Sequence, residues 1–135
     1  MLKGISIDKR PGWINNRSDF GHWEGDTIVC RDNLQCLFTL VERKTRFGII
    51  KKIKTKSPAC VLTAIQQIKY ELEPYFNDVV KSITFDNGVE FNCFKEIEEM
   101  GVDVFFTHPY SSYERGSNEN FNGIVRRFLP KKNKL

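Results

Sequence analysis

Apolar residues in the first part of the chain fall into short runs, rich in β-branched and aromatic side chains and separated by polar turn residues. Three such runs, Trp23–Cys30, Cys36–Glu42 and Phe47–Ile53, each predict a β-strand. The links between them, such as Arg31-Asp32-Asn33, are short. Because short links join antiparallel neighbours, we expect these strands to form an antiparallel meander.

The spacing of apolar residues changes to that of a helix after residue 57. Ser57 followed by Pro58 is a typical helix start, with the serine as N-cap, and Pro74 ends the helix, which we place at about residues 58–73. Four apolar residues recur at intervals of three or four along it and predict one buried face: Val61, Ile65, Ile68 and Leu72.

The remainder of the chain predicts strand, helix, strand and helix in turn. The strands are Val79–Phe85 and Asp103–Phe106, and the helices run through residues 91–100 and over Ser117–Phe128. A strand that follows a crossover helix is expected to lie parallel to its neighbour. This order predicts an α/β fold of the ribonuclease H-like class: a mixed five-stranded sheet, three strands antiparallel and two parallel, flanked by helices.

Residues 1–20 show no sustained apolar period, and Pro11-Gly12 is a turn signal. We expect this segment to be a lead-in or linker stub. The length of 135 residues is that of one ordinary domain, so residues 21–135 are expected to form a single domain.

Composition is that of a globular protein and constrains function only slightly. Lysine and arginine number 21 against 17 aspartate and glutamate residues, and basic residues are concentrated at positions 51–56 and 126–134, either as solvated surface or as a track for DNA. The four cysteines lack zinc-binding spacing, and no segment resembles a membrane span or a signal peptide. We expect a cytoplasmic protein with reduced thiols and no membrane partner.

Three acidic residues each lie at a defined place on a predicted element. Asp26 lies in the first strand, Asp86 directly follows the strand that ends at residue 85, and Glu119 lies on the last helix. Carboxylates remote in sequence but close in space supply the oxygen ligands that Mg²⁺ takes, and two such ions can act on a phosphodiester. Taken singly, a surface strand residue, a turn-forming aspartate and a polar helix residue remain the alternatives.

Two further glutamates lie near these positions. Glu24 precedes Asp26 by two residues and shares its strand face, either as an accessory acid or, the interpretation we favour, as the partner of a basic side chain. Glu90 is a candidate for a further acid, although a solvated role is favoured for it.

The loop before the last helix mixes aromatic, hydroxyl and arginine side chains, which suits stacking on bases and contact with phosphate, although a plain surface loop remains an alternative. On the helix itself an amide and a cation share the face of Glu119, and more basic residues follow. The DNA contacts expected from these parts are Tyr113, Arg115, Asn122, Arg126, Arg127 and Lys131.

Four segments resemble the catalytic domain of insertion-sequence transposases of the IS-thirty family, which belongs to the DDE transposases and retroviral-type integrases. They read HWEGDTIV, LVERKTRF, SITFDNGVEF and FFTHPYSSYERGSNENFNGIVRRFLPK, and the resemblance extends from about Arg17 to Lys131. It implies that Asp26, Asp86 and Glu119 form a catalytic triad that binds two Mg²⁺ or Mn²⁺ ions. It also implies that Asn122 and Arg126 belong to an active-site helix that contacts DNA.

The activity implied by this resemblance is metal-dependent hydrolysis of the phosphodiester at transposon ends, followed by strand transfer to target DNA, that is, DNA integration and recombination. The implied partners are the terminal inverted repeats and the target DNA, with self-association of the chain in the DNA complex. Members of the family carry an N-terminal helix-turn-helix domain that we expect this chain to lack. A catalytically silent remnant that binds DNA or another protein is therefore an alternative, and a nuclease of the same fold is a third.

Overall fold

A mixed β-sheet organises residues 5–12, 19–29 and 35–107, the part of the chain that the computed structural model describes. Six strands are present in these ranges: β1 (Ile5–Ser6), β2 (His22–Val29), β3 (Cys36–Glu42), β4 (Gly48–Ile53), β5 (Ser82–Phe85) and β6 (Asp103–Phe106). Their order across the sheet is β1-β6-β5-β2-β3-β4. The pairs β2–β3 and β3–β4 are antiparallel, whereas β2–β5, β5–β6 and β1–β6 are parallel.

Three α-helices accompany the sheet in the described ranges: α1 (Pro58–Leu72), α2 (Phe76–Val79) and α3 (Phe94–Glu98). Ser57 is the N-cap of α1, as predicted, and its Oγ accepts a hydrogen bond of 3.4 Å from the backbone N–H of Cys60. Short 3₁₀ turns occupy Ile7–Lys9 and Val89–Phe91. None of the helices in these ranges has the length and apolar character needed to cross a bilayer.

The predicted antiparallel meander is confirmed, and the later strands pair in parallel as expected. Two predicted elements differ in extent by more than one residue at an end. The strand expected over Val79–Phe85 is shorter, because its first residue ends α2 and the N–H of Val80 bonds to the carbonyl O of Phe76 at 2.7 Å. The helix expected through residues 91–100 is divided between a 3₁₀ turn and α3. The predicted helix Ser117–Phe128 lies outside the described residues.

The lead-in segment supplies the sixth strand, where five were expected. The two residues of β1 pair in parallel with Phe105 and Phe106, and so cover a strand edge that would otherwise present unpaired backbone groups. Arg10 is buried, and its Nη1 donates a hydrogen bond of 3.1 Å to Thr84 Oγ1 in β5. The N-terminal segment is thus tied to the sheet, while a domain boundary at residue 20 stays a prediction.

The hydrophobic core contains one face of the sheet together with the apolar face of α1. Its members include three of the four apolar residues predicted for that helix, and the fourth, Leu72, packs partly buried against it. The ring of Phe85 stacks on that of Phe91 with centroids 4.2 Å apart, which extends the core to the 3₁₀ turn after β5. The core side chains include Trp23, Phe38, Leu40, Val61, Ile65, Ile68, Ile83 and Phe85.

Gly25 in β2 lies against the ring of Phe85. A Cβ added to this glycine would lie 2.8 Å from Phe85 Cδ1 and 3.3 Å from Ile83 Cγ2. We predict that Gly25→Ala lowers the free energy of unfolding by about 1–3 kcal/mol, the usual cost of overpacking a core. Chemical denaturation measures this change. Gly12→Ala is the matched control, since nothing lies within 4 Å of a Cβ there, and an equal loss in both variants would contradict the interpretation.

His22, at the start of β2, is buried and has a polar neighbour at each ring nitrogen. Nδ1 lies 2.7 Å from Ser82 Oγ, and Nε2 lies 2.8 Å from Asp19 Oδ2. Burial lowers the pKa of His22 below its ordinary value of 6.5, although the hydrogen bond with Asp19 acts in the opposite direction. The folded chain therefore binds a proton at this residue less readily than the unfolded chain.

We predict that the contribution of neutral His22 to stability is fully present above pH 6.5 and is lost as the pH falls from there toward its lowered pKa in the folded chain. The reason is that the unfolded state binds more protons in this range. His22→Gln keeps a hydrogen-bond donor and acceptor but does not titrate, so it should flatten the plot of unfolding free energy against pH. Denaturation at a series of pH values tests this, and an unchanged slope would assign the pH dependence to other groups.

Candidate active site

Asp26 lies in β2, an interior strand between β3 and β5. Its side chain is partly buried, and Oδ1 accepts a hydrogen bond of 2.8 Å from the backbone N–H of Thr27. Thr39, its antiparallel partner on β3, donates from Oγ1 to the backbone O of Asp26 at 3.4 Å. The first contact orients the carboxylate of Asp26, and the second joins its backbone to β3.

Asp86 is the first residue after β5 and is also partly buried. Its Oδ1 accepts a hydrogen bond of 2.7 Å from the N–H of Gly88, which is the geometry of an Asx turn. Asn87 donates from Nδ2 to the carbonyl O of Thr107 at 2.6 Å and ties this turn to the end of β6. The carboxylate is thereby held at the carboxyl end of parallel strands, where ligands bind in open α/β sheets.

The parallel pairing of β2 with β5 brings the two aspartates together. Glu24 pairs with Thr84 in the register of these strands. Two residues further along the chain lie Asp26, within β2, and Asp86, directly after β5. Extension of the same register makes these corresponding positions, and neighbouring strands run about 4.8 Å apart. Since side chains alternate along a strand, each aspartate also shares the face of the residue two positions before it. We infer from the register that the two predicted acids lie on the same face of the sheet, near one another.

Glu24 is the partner of a basic side chain, as favoured from the sequence. Its carboxylate accepts a hydrogen bond from Nη1 of Arg43, and the two side chains are 0% and 5% exposed. Buried charges are tolerated when they are paired in this way. The ion pair lies on the sheet face of Asp26, so it contributes to the surroundings of the site.

Glu90 is buried, so the expectation of a solvated role is wrong. Its side chain is 3% exposed, and Oε2 accepts a hydrogen bond of 2.8 Å from Thr27 Oγ1 and lies 3.5 Å from Lys56 Nζ. Hydrophobicity favours the neighbouring residue Val89 for the buried position, yet that residue is 66% exposed. The sequence does contain one indication that Glu90 is buried. It lies two residues after Gly88, the glycine of the Asp86 turn, in FDNGVEF.

Glu119 lies outside the described residues, as do the six residues expected to contact DNA: Tyr113, Arg115, Asn122, Arg126, Arg127 and Lys131. Their roles stay predictions. Within residues 5–12, 19–29 and 35–107, no group of three or more histidine, cysteine, aspartate or glutamate side chains is arranged to hold a metal ion. The described part of the site is therefore a pair of aspartates.

The sequence of the chain is similar to those of known insertion-sequence transposases. The "Probable transposase for insertion-like sequence element IS1161" of Streptococcus salivarius is 48% identical to the chain over 130 residues, which cover 95% of the chain and 36% of that protein. The transposase InsI for insertion sequence element IS30A of Escherichia coli (strain K12) is 38% identical over 133 residues, with coverages of 98% and 34%. The chain is homologous to a segment of insertion-sequence transposases.

This homology confirms the resemblance drawn from the four sequence segments. No family model matches the chain. The chain spans only 36% and 34% of the lengths of the two transposases, so their activities as whole proteins are not transferred to it directly.

The fold has a solved counterpart among retroviral proteins. The catalytic core domain of BIV integrase matches with a TM-score of 0.64 at 18% sequence identity, over 81% of this chain and 68% of that one. At such low identity the likeness concerns the fold alone. It confirms the predicted ribonuclease H-like class, with β1 as an added edge strand.

We predict that Arg43→Met lowers the free energy of unfolding by about 3–5 kcal/mol, because it leaves Glu24 as a buried carboxylate without its cation. Combining it with Glu24→Leu should restore much of the loss, since an apolar pair of similar volume is often neutral. Urea denaturation measures both variants. Lys95→Met, at an exposed position of α3, is the control. A double variant less stable than Arg43→Met alone would contradict the prediction.

Proposed function

We propose that this chain is the catalytic core of a DDE-type DNA transposase, which hydrolyses a phosphodiester bond at a transposon end and transfers the freed strand to target DNA. The observation that carries the proposal is the placement of Asp26 and Asp86 on one face of neighbouring parallel strands in a ribonuclease H-like sheet. Homology to insertion-sequence transposases supports it independently.

The aspartate pair fits a hard divalent cation such as Mg²⁺ or Mn²⁺, which takes oxygen ligands. In each residue a backbone N–H holds Oδ1, which fixes the carboxylate without neutralising its charge. The second carboxylate oxygen of Asp86 has no hydrogen-bond partner among the described residues. Two ions, when bound, lower the barrier to attack on phosphorus and stabilise the leaving oxygen.

Glu119 is proposed as the third ligand, so that Asp26, Asp86 and Glu119 together hold two ions. The support is the resemblance of the SSYERGSNENFNG segment to the transposase family and the demand of Mg²⁺ for more oxygen ligands than a pair of aspartates provides. The same segment disfavours a ribonuclease H or a junction resolvase, the alternatives of the same fold.

The described residues around the two aspartates contribute by positioning them. Thr27 and Gly88 each donate a backbone hydrogen bond to one aspartate, and Asn87 joins the Asp86 turn to the end of β6. Fixing ligands in advance matters because misplacement of reacting groups by about 1 Å can cost about 100-fold in rate. A backbone N–H therefore helps to orient the carboxylate of each aspartate.

DNA is the proposed partner, as terminal inverted repeats and as target, with self-association of the chain in the complex. The proposed contacts are the six residues Tyr113, Arg115, Asn122, Arg126, Arg127 and Lys131. Basic residues neutralise phosphates. The chain has 21 lysine and arginine residues and 17 aspartate and glutamate residues, and this basic balance suits the role. We propose a cytoplasmic location, in keeping with four cysteines whose spacing does not suggest a disulfide framework.

We predict that Asp86→Asn and Asp26→Asn each reduce cleavage and strand transfer by more than about 100-fold, beyond the loss usual for groups that only support a metal ligand. The reason is that the amide keeps the shape of the carboxylate but not its charge. The measurement is gel analysis of terminal-repeat DNA with the chain and Mn²⁺, together with thermal unfolding to show that the fold is retained.

Asp103→Asn is the matched control, because Asp103 is exposed at the start of β6 and lies away from the pair in the strand register. Undiminished turnover by Asp86→Asn would remove that residue from the mechanism. Wild-type chain that binds DNA but shows no metal-dependent turnover would instead favour the alternative of a catalytically silent remnant.

A further inference from the structure

Glu90 is a buried acid that the proposed reaction does not use. It lies in the 3₁₀ turn that follows the Asp86 turn, and its side chain is 3% exposed. A carboxylate at such a site costs free energy unless specific partners stabilise it. Two of its contacts are with the chain segments that carry Asp26 and Asp86.

Toward β2, Glu90 bonds to the residue beside Asp26. Thr27 donates from Oγ1 to Glu90 Oε2 at 2.8 Å, across 63 positions in sequence. The backbone N–H of the same threonine donates to Asp26 Oδ1 at 2.8 Å. Thr27 therefore connects the carboxylate of Glu90 with that of Asp26 through two hydrogen bonds.

Toward β5, Glu90 packs against the turn that holds Asp86. A Cβ on Gly88 would collide with Glu90 Oε1 and would lie 2.9 Å from Asp86 Oδ1. Both carboxylates therefore approach the same backbone position, and the N–H of that glycine donates to Asp86 Oδ1. Glycine at 88 is what allows Glu90 to lie this close to the turn.

A cation balances the charge of Glu90. Lys56 Nζ lies 3.5 Å from Oε2, and the lysine side chain is 50% exposed. The ion pair is thus open to solvent on one side, whereas the contacts with Thr27 and Gly88 are on the protein side. The buried contacts are the ones that can transmit position to the aspartates.

We propose that Glu90 is a positioning residue that clamps β2 to the turn after β5 and so sets the separation of the Asp26 and Asp86 carboxylates. The inference rests on the proposed function, since it assumes that these aspartates bind the catalytic ions. Glu90 acts through Thr27 on one side and through the Gly88 turn on the other. It requires an acceptor oxygen at Oε2 and does not require a negative charge.

The test is the affinity of the full chain for Mn²⁺ alone, measured without DNA by the electron paramagnetic resonance signal of free Mn²⁺. Glu90→Ala and Thr27→Val should each weaken binding by about tenfold, the loss typical of groups that orient metal ligands. The double variant should bind no more weakly than Glu90→Ala, because that variant already removes the hydrogen bond that Thr27→Val removes. Thermal unfolding of every variant shows that binding is measured on folded protein.

Conservative variants separate position from charge. Glu90→Gln keeps an acceptor for Thr27, and Thr27→Ser keeps the donor, so both should retain most of the wild-type affinity for Mn²⁺. The matched controls are Glu96→Ala and Thr63→Val, which change the same residue types at exposed positions of α3 and α1. Neither control should change Mn²⁺ binding.

Two results would overturn the proposal. The first is Glu90→Ala with wild-type Mn²⁺ affinity, and the second is Glu90→Gln as weak as Glu90→Ala, which would make the charge the active property. Asp86→Asn distinguishes these from a failure of the proposed function. If Asp86→Asn also binds Mn²⁺ normally, the aspartates do not hold the metal. If it loses binding while Glu90→Ala keeps it, only the role of Glu90 is wrong.

Discussion

Parallel pairing between β2 and β5 is the constraint on which both the core and the candidate site depend. It aligns residues 60 positions apart in sequence, so that His22 meets Ser82 and the two aspartates follow at equivalent levels. On the opposite face the same register sets the ring of Phe85 against Gly25. A slip of one residue would send each side chain of the short strand to the other face and separate the aspartates. Hydrophobic packing on one side of the sheet therefore specifies the arrangement of carboxylates on the other.

Buried charged groups reinforce this register on the aspartate face. Glu24 pairs with Arg43, and Arg10 bonds to Thr84, which lies opposite Glu24 in the strand pairing. Such contacts add little net stability, because desolvation offsets their attraction. They do discriminate between arrangements, because each shift of a strand would leave a charge buried without a partner. We interpret these contacts as specifying the strand register. Their cations, Arg43 and Arg10, lie outside β2 and β5.

Local pattern was sufficient to predict β2, β3, β4 and α1, because each carries a strong period or a recognisable start. The positions of Asp26 within a strand and of Asp86 directly after one were predictable for the same reason. The short β1 was not, since two residues in a polar segment have no period and are ordered by the open edge of β6. The burial of Glu90 was hidden because its partner Thr27 is 63 positions away. The contribution of Val79 to a helix likewise reflects a tertiary contact, the hydrogen bond of 2.8 Å from Trp23 Nε1 to its carbonyl O.

The strand β4 ends the sheet on the side away from β1, and among the described residues it pairs only with β3. A free strand edge with exposed apolar residues such as Ile50 is a template for addition of further chains and for fibril growth. The consecutive lysines of β4, Lys51 and Lys52, place charge along that edge, and the first is held by Glu71 at 2.6 Å. Independently of any role with nucleic acid, we interpret these lysines as gatekeepers that oppose aggregation through the edge of the sheet.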